Sequence, residues 1–313
     1  MVALPSVPLS LEEFPESGRT AAGMRTMTAD PHRWHGVVWL NVVYAVKSGL
    51  PLHLHIIWPP MDDWLSDQRY PAVLFAQGSG WQEQSLGQWL LPLGKFAQRG
   101  YVVAIVECRP SALALFPGAV RDLNSAVRFL TDNAERYKAD PDRLAAWGDS
   151  SGAHTAVLSY LTEGRQDFSD EPVAPLGLRA VVDYYGPSDL TRMQDEPTTV
   201  DHLAADSPEG RLLGGVDLRQ HPGAAAEASA LAHIPRDRPL PPLLIMHGGK
   251  DRIVPFGQSV DLYEALRAAG QPVELVKLTG ADHGDAGFWT PAALDLVDDF
   301  LRQAFETAAS DTD

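Results

Sequence analysis

Apolar and polar positions along this chain follow two periods, and the order in which the periods alternate predicts the architecture. Gly36 to Val46 is β-branched and aromatic and reads as a strand, Lys47-Ser48-Gly49 turns it, and Leu52 to Trp58 alternates as a second strand. Together they predict an antiparallel hairpin. From Pro71–Ala76 onward, short buried runs alternate with stretches of helical period. A helix over Leu90–Gln98 closes at Gly100 and is followed by the strand Tyr101–Val106. The next helix starts near Pro117 and keeps Val120, Leu123, Val127 and Leu130 on one face. Arg143–Trp147, Leu178–Tyr184, Pro242–Met246 and Val273–Leu278 read as further strands, with helices over Gln258–Ala269 and Pro291–Ala304. This alternation predicts an α/β fold whose mainly parallel sheet is covered by helices on both faces after an antiparallel start.

The pattern breaks between Tyr185 and Pro239, where Pro, Gly, Ala and acids dominate and helical patterns are short. The stretch is too long for a plain connection, so residues 186–239 are expected to form a lid or pocket-forming insertion. Residues 1–35 are proline-rich and read as a surface arm, 36–307 as one domain, and 308–313 as a tail. No internal repeat or second-domain boundary is visible.

Composition narrows the functional classes. The 313 residues, 45% of them hydrophobic, suffice for one large core. No apolar run reaches the length of a membrane span, and the first residues hold no apolar segment of signal-peptide length; a soluble, cytoplasmic protein is expected. A single cysteine, Cys108, permits no intramolecular disulfide and sits where a packed side chain is expected. With 41 acids against 25 bases, the formal charge is -16 and no basic cluster appears. That field repels phosphate backbones and anionic membranes, so neither nucleic acid nor membrane is an expected partner.

The chemistry begins at Trp147-Gly148-Asp149-Ser150-Ser151-Gly152, where a strand run gives way at once to a helix pattern. A nucleophile on such a turn needs a strained backbone, and glycines on either side leave room for it. Ser150 is the candidate nucleophile. A serine hydroxyl needs a base, and the base needs an orienting group. Two loops following predicted strands supply them: Met246 to Pro255 contains Asp251, and Thr279 to Gly284 contains His283. Parallel strands share one carboxyl end, so both loops are expected beside Ser150. His283 is assigned as general base and acid and Asp251 as its carboxylate. Asp282 is the local rival, and His247 is expected to support the turn ahead of Asp251. His53 with His55, and His32 with His35, lack a third ligand and read as polar surface, so no metal is predicted. Phe75-Ala-Gln77-Gly78-Ser79-Gly80-Trp81 follows a buried strand, and the N–H groups of Gly78, Ser79 and Ser151, with Gly80 as a further candidate, are expected to form an oxyanion hole. Trp81, Phe288 and Trp289 are candidate pocket walls.

With these residues the chain resembles an α/β-hydrolase of the esterase type, in the group of hormone-sensitive-lipase-like carboxylesterases and acetylxylan/feruloyl esterase-like proteins. The motifs are Gly148-Asp-Ser-Ser-Gly152, Phe116-Pro-Gly-Ala-Val-Arg-Asp122, Val181-Val-Asp-Tyr-Tyr-Gly-Pro-Ser-Asp189, Asp206-Ser-Pro-Glu-Gly-Arg-Leu-Leu-Gly214 and His247-Gly-Gly-Lys-Asp251. The resemblance runs from about Val37 to Phe300 and implies an α/β-hydrolase fold and an acyl-enzyme mechanism on small neutral esters, without cofactor. Acetylated or feruloylated carbohydrate esters are implied in the same way. A biosynthetic acyl transferase, cyclase or formamidase on the same triad is the alternative, and a non-catalytic receptor on this fold a third. The family commonly places His-Gly-Gly-Gly-Trp where this chain has Gln77-Gly-Ser-Gly-Trp81; the backbone donors survive, but φ freedom at Ser79 is reduced.

Overall fold

The computed structural model describes residues 9–10, 13–29, 35–62 and 66–310. His32, the parts of the arm outside those ranges and the tail residues 311–313 lie outside the described residues. Eight strands form one sheet: β1 (Val37–Lys47), β2 (Leu50–Trp58), β3 (Tyr70–Ala76), β4 (Val102–Val106), β5 (Ala139–Asp149), β6 (Leu178–Tyr184), β7 (Leu243–Gly248) and β8 (Val273–Leu278). Their spatial order is β1-β2-β4-β3-β5-β6-β7-β8. The hairpin β1–β2 is antiparallel and meets β4 antiparallel, while every pairing from β4 through β8 is parallel.

Burial explains which strands take which place. All residues of β4 and β7 are inaccessible, as strands covered on both faces must be. Edge strand β1 keeps Val38, Leu40, Val43 and Val46 exposed. Helices α2 (Gly118–Asp132) and α3 (Ser151–Leu161), with α6 (Gly257–Ala268), pack on one face through Val120, Leu123, Val127, Val157 and Leu262. Helices α1 (Leu90–Ala97) and α7 (Pro291–Ser310) cover the other through Leu93, Phe96, Leu294, Val297 and Leu301.

Between β6 and β7 the chain forms α4 (Pro208–Leu212), α5 (Pro222–Glu227) and a 3₁₀ turn at Ala230–His233. This stretch has its own small apolar cluster, in which Leu190, Leu212, Leu218, Ala225 and Ala228 gather with Trp81. The insertion is thereby fastened to the loop after β3. Among the described residues no helix is long and apolar enough to cross a membrane.

Strand β5 begins at Ala139, ahead of the expected Arg143. Ala139 pairs with Tyr70 across an irregularity in the ladder, which extends the strand back through Asp140-Pro-Asp142. Helix α7 likewise runs past Ala304 to Ser310. Cys108 is buried, and burial pushes its thiol well up, as befits a packed side chain.

Candidate active site

The carboxyl ends of β5, β7 and β8 deliver the three predicted side chains to one rim. Ser150 turns the chain from β5 into α3 with φ 52° and ψ −126°. Such a backbone costs a non-glycine residue on the order of 1–3 kcal/mol and persists only where the surroundings enforce it. Here Ser150 N–H donates to the Tyr184 carbonyl at 2.8 Å and the Ser150 carbonyl accepts from His154 N–H at 3.1 Å. A Cβ on Gly152 would collide with the Ala76 carbonyl, and one on Gly148 with the Gly152 carbonyl.

His283 Nε2 lies 2.9 Å from Ser150 Oγ, and its Nδ1 lies 2.7 Å from Asp251 Oδ2. A carboxylate only accepts, so Nδ1 carries the hydrogen and Nε2 is left to accept from the serine hydroxyl. Asp251 divides its oxygens. Oδ1 accepts from Ile253 N–H and Val254 N–H of its own loop, and Oδ2 faces His283 and His247. Burial pushes the Asp251 carboxyl up, but the contacts to His247 and His283 outweigh it and hold the group well below the usual carboxylate range. His247 therefore contacts the Asp251 carboxylate itself, where the sequence predicts only support of the turn ahead of it. Asp282 turns outward instead, pairing with Arg252 and accepting from the Arg252 and His283 N–H groups.

The glycine loop after β3 is arranged differently from expectation. Gly78 N–H donates to Asp149 Oδ1 at 2.7 Å, so it is already committed. Ser79 N–H donates to Ser151 Oγ at 2.9 Å, and Trp81 N–H reaches the same oxygen at 3.2 Å. Positive φ falls on Gly80 and Trp81, not on Ser79, which is why a serine fits a position where the family commonly has glycine. Gly78 itself has no room for a side chain, since a Cβ there would run into the Asp149 carbonyl and Ser150 Cβ.

Two residues at this site carry no motif-level signal of their own. Asp149, the residue before the nucleophile in Gly-x-Ser-x-Gly, is buried, and burial pushes its carboxyl up to about 6 against the pull of the Gly78 N–H. Tyr185 packs its ring edge-on against His283 with centroids 4.7 Å apart. Its buried hydroxyl faces Asp149 without a hydrogen bond of good geometry.

A cavity of about 430 Å³ opens over Ser150 and His283. Trp81 lines it, together with Val200, Pro208 and Val254. Phe288 and Trp289 do not, which corrects their assignment as pocket walls. The 3₁₀ turn at Ala286–Trp289 faces inward: Phe288 is fully buried against Tyr184 and Tyr185, and Trp289 stacks on Trp147. His53 contacts Glu107 at 2.6 Å and His55 accepts from the Asn41 N–H, so each has an ordinary polar partner.

A mostly parallel sheet with an antiparallel start, carrying serine, acid and histidine in that order on its carboxyl-end loops, is the α/β-hydrolase fold. Within it, the chain belongs to the BD-FAE family, whose profile matches residues 58–266. A truncated carbohydrate esterase from gut microbiota is similar, with 27% identity, a TM-score of 0.72, and coverage of 89% of this chain and 99% of that one. Thermogutta terrifontis Est2, an esterase, shows 28% identity and a TM-score of 0.67 over 85% and 92% of the two chains. Among curated proteins, esterase LipC of Mycobacterium tuberculosis is 26% identical over 75% of this chain and 57% of its own length. The isoprenylcysteine alpha-carbonyl methylesterase ICME of Arabidopsis thaliana is 26% identical over 78% and 56%. The chain thus spans a little over half the length of these curated relatives.

Proposed function

We propose that this chain is a serine carboxylic-ester hydrolase in which Ser150 is the nucleophile, His283 the general base and acid, and Asp251 the carboxylate that orients the imidazole. The observation that carries this reading is the unbroken contact from Asp251 Oδ2 through His283 to Ser150 Oγ, facing a cavity of small-molecule size. The esterase names of the relatives and of the similar structures support it.

In this reading Ser150 Oγ attacks the ester carbonyl carbon while its proton passes to His283 Nε2. The tetrahedral intermediate collapses as His283 returns that proton to the departing alcohol, leaving an acyl-serine. Water then gives its proton to His283, attacks the acyl carbon, and releases the acid with Ser150 restored. Asp251 stays ionised throughout, in keeping with its depressed pKa. Because Gly78 N–H is held by Asp149 and Ser79 N–H by Ser151 Oγ, the oxyanion donors are assigned to Ser151 N–H, at the first turn of α3, with Gly80 N–H. Each such donor is worth roughly 3 kcal/mol of barrier.

The cavity suits small, neutral esters with short acyl chains, and the insertion acts as its cap, contributing Val200, His202, Pro208 and Glu209 to the wall. The carbohydrate esterase among the similar structures supports acetylated or feruloylated carbohydrate esters as a natural class. A panel of such esters with product identification tests the reading. Stoichiometric free acid and alcohol are expected. Acyl transfer to an added alcohol or amine without free acid, or no turnover of any ester, would overturn it.

A further inference from the structure

The insertion holds a buried acid–imidazole pair that the proposed reaction does not use. His202 Nδ1 lies 2.8 Å from Glu209 Oε1, and the two side chains are 2% and 4% exposed. His202 Nε2 lies 2.8 Å from the Ile253 carbonyl in the loop that carries Asp251. A carbonyl and a carboxylate both accept, so both ring nitrogens donate and the ring is a cation beside the Glu209 anion. Burial lowers the His202 pKa, but Glu209 and the Ile253 carbonyl outweigh it and raise the value overall. The pair is further fixed from the insertion side, where Ser207 Oγ donates to the His202 carbonyl and accepts from Gly210 N–H.

This arrangement satisfies one oxygen of Glu209 and leaves the other. Oε2 is buried and has no hydrogen-bond partner among the described residues. Glu209 and His202 both belong to the wall of the cavity that contains Ser150 and His283. A buried carboxylate oxygen with no donor is costly and rare in folded proteins, and its natural complement is a donor brought by a ligand. The charge of Glu209 is already balanced by His202, so a neutral O–H or N–H suits Oε2 better than a second cation.

We infer that Glu209, held in place by His202, is a specificity-determining residue whose Oε2 accepts a hydrogen bond from a neutral hydroxyl or N–H group on the substrate. Esters that carry such a donor are thereby selected over analogues that lack it. The inference rests on the esterase reading and assigns a role to the Asp206–Gly214 motif, which the acyl-enzyme chemistry leaves without one. His202 is a positioning residue that acts through Glu209.

Two matched substrate pairs test it: glycerol monoacetate against propyl acetate, and 1,4-butanediol monoacetate against butyl acetate. The wild-type protein is expected to favour the hydroxylated member of at least one pair by about tenfold or more in kcat/KM. Glu209→Gln is expected to remove most of that preference through KM, so that the two members of each pair converge in kcat/KM. Equal wild-type rates within both pairs would overturn the inference, as would a Glu209→Gln variant that loses both members of each pair alike. If the variant does not fold, inhibition of the wild type decides: glycerol should compete at lower concentration than 1-propanol, and equal inhibition would refute the assignment. Turnover of butyl acetate reports the esterase reading separately. With that turnover present, only the ratios bear on Glu209; with no ester turned over, the reading fails and the inference falls with it.

Discussion

His247 Nε2 lies 3.2 Å from Asp251 Oδ2, the same oxygen that faces His283 Nδ1 at 2.7 Å. His247 is wholly buried at the end of β7. Its Nδ1 contacts Ser259 Oγ in α6, and its Nε2 also points to the Val254 carbonyl. A second imidazole, anchored to strand and helix, therefore fixes the carboxylate that orients the first.

Replacing His247 should act through position rather than through binding. In His247→Phe the Asp251 carboxylate loses one of the two imidazole contacts that hold it, and the Ser150–His283 alignment loosens. We expect kcat on p-nitrophenyl acetate to fall by about 10- to 100-fold with KM little changed. Steady-state kinetics, with thermal unfolding alongside, checks this; an unchanged kcat in a folded variant would show that Asp251 needs no second partner.

Buried carboxylates set a pH dependence of stability whose sign follows from their shifts. Burial pushes Asp183 up to about 6, against the Gly186 N–H it accepts and the nearby His247, and Asp149 also stands at about 6. A carboxyl raised on folding contributes stability that is present below its unfolded value and lost as pH rises through about 6. Keeping Asp183 ionised at pH 7.5 then costs the folded state on the order of 3 kcal/mol. Asp251 has the opposite sign: its contribution is present above the unfolded carboxylate value and disappears on further acidification. From these groups stability should therefore be greatest near pH 4 and should fall as pH rises toward about 6. Asp183→Asn should raise Tm by a few degrees at pH 7.5, and the gain should shrink toward pH 4. Thermal melts across pH measure it, and a gain that grew on acidification would contradict the assignment.

Two glycine-to-alanine changes should move stability in opposite directions. Gly152 lies against the Ala76 and Gln77 backbone, so Gly152→Ala must displace α3 from β3 and should abolish both stable folding and activity. Gly94 lies inside α1, and a methyl group added there would have open space within 4 Å. Gly94→Ala should stabilise by about 0.5–1 kcal/mol with activity intact. Denaturant titration of the two variants checks both; a tolerated Gly152→Ala would show that the approach of α3 to β3 is not close.

The sequence is most legible in the strands, whether nearly all buried or at the sheet edge. Leu178–Tyr184 and the half-exposed edge strand Val273–Leu278 both have the expected ends, and Ser150, Asp251 and His283 are adjacent because parallel strands deliver their loops to one rim. Legibility fails where the outcome depends on which way a short segment faces. Phe288 and Trp289 follow His283 closely in sequence, but a 3₁₀ turn sends them into the core. Gly78 stands in the right loop, yet its N–H is taken by the buried side chain next to the nucleophile. His202 and Glu209 lie in a stretch with no regular period, and their pairing comes from a tertiary contact with the Ile253 carbonyl as much as from their spacing. Tyr185 reaches His283 because β6 ends at Tyr184 and the next residue takes a φ of 48°.

The most direct test is fluorophosphonate labelling read by peptide mass spectrometry, run beside hydrolysis of p-nitrophenyl acetate by the wild type and Ser150→Ala. One modified residue, Ser150, is expected, with loss of hydrolysis in step with labelling and a fall in kcat on the order of 10⁶-fold in the variant. Labelling at another residue, or wild-type-like turnover in a folded Ser150→Ala protein, would contradict the assignment of Ser150.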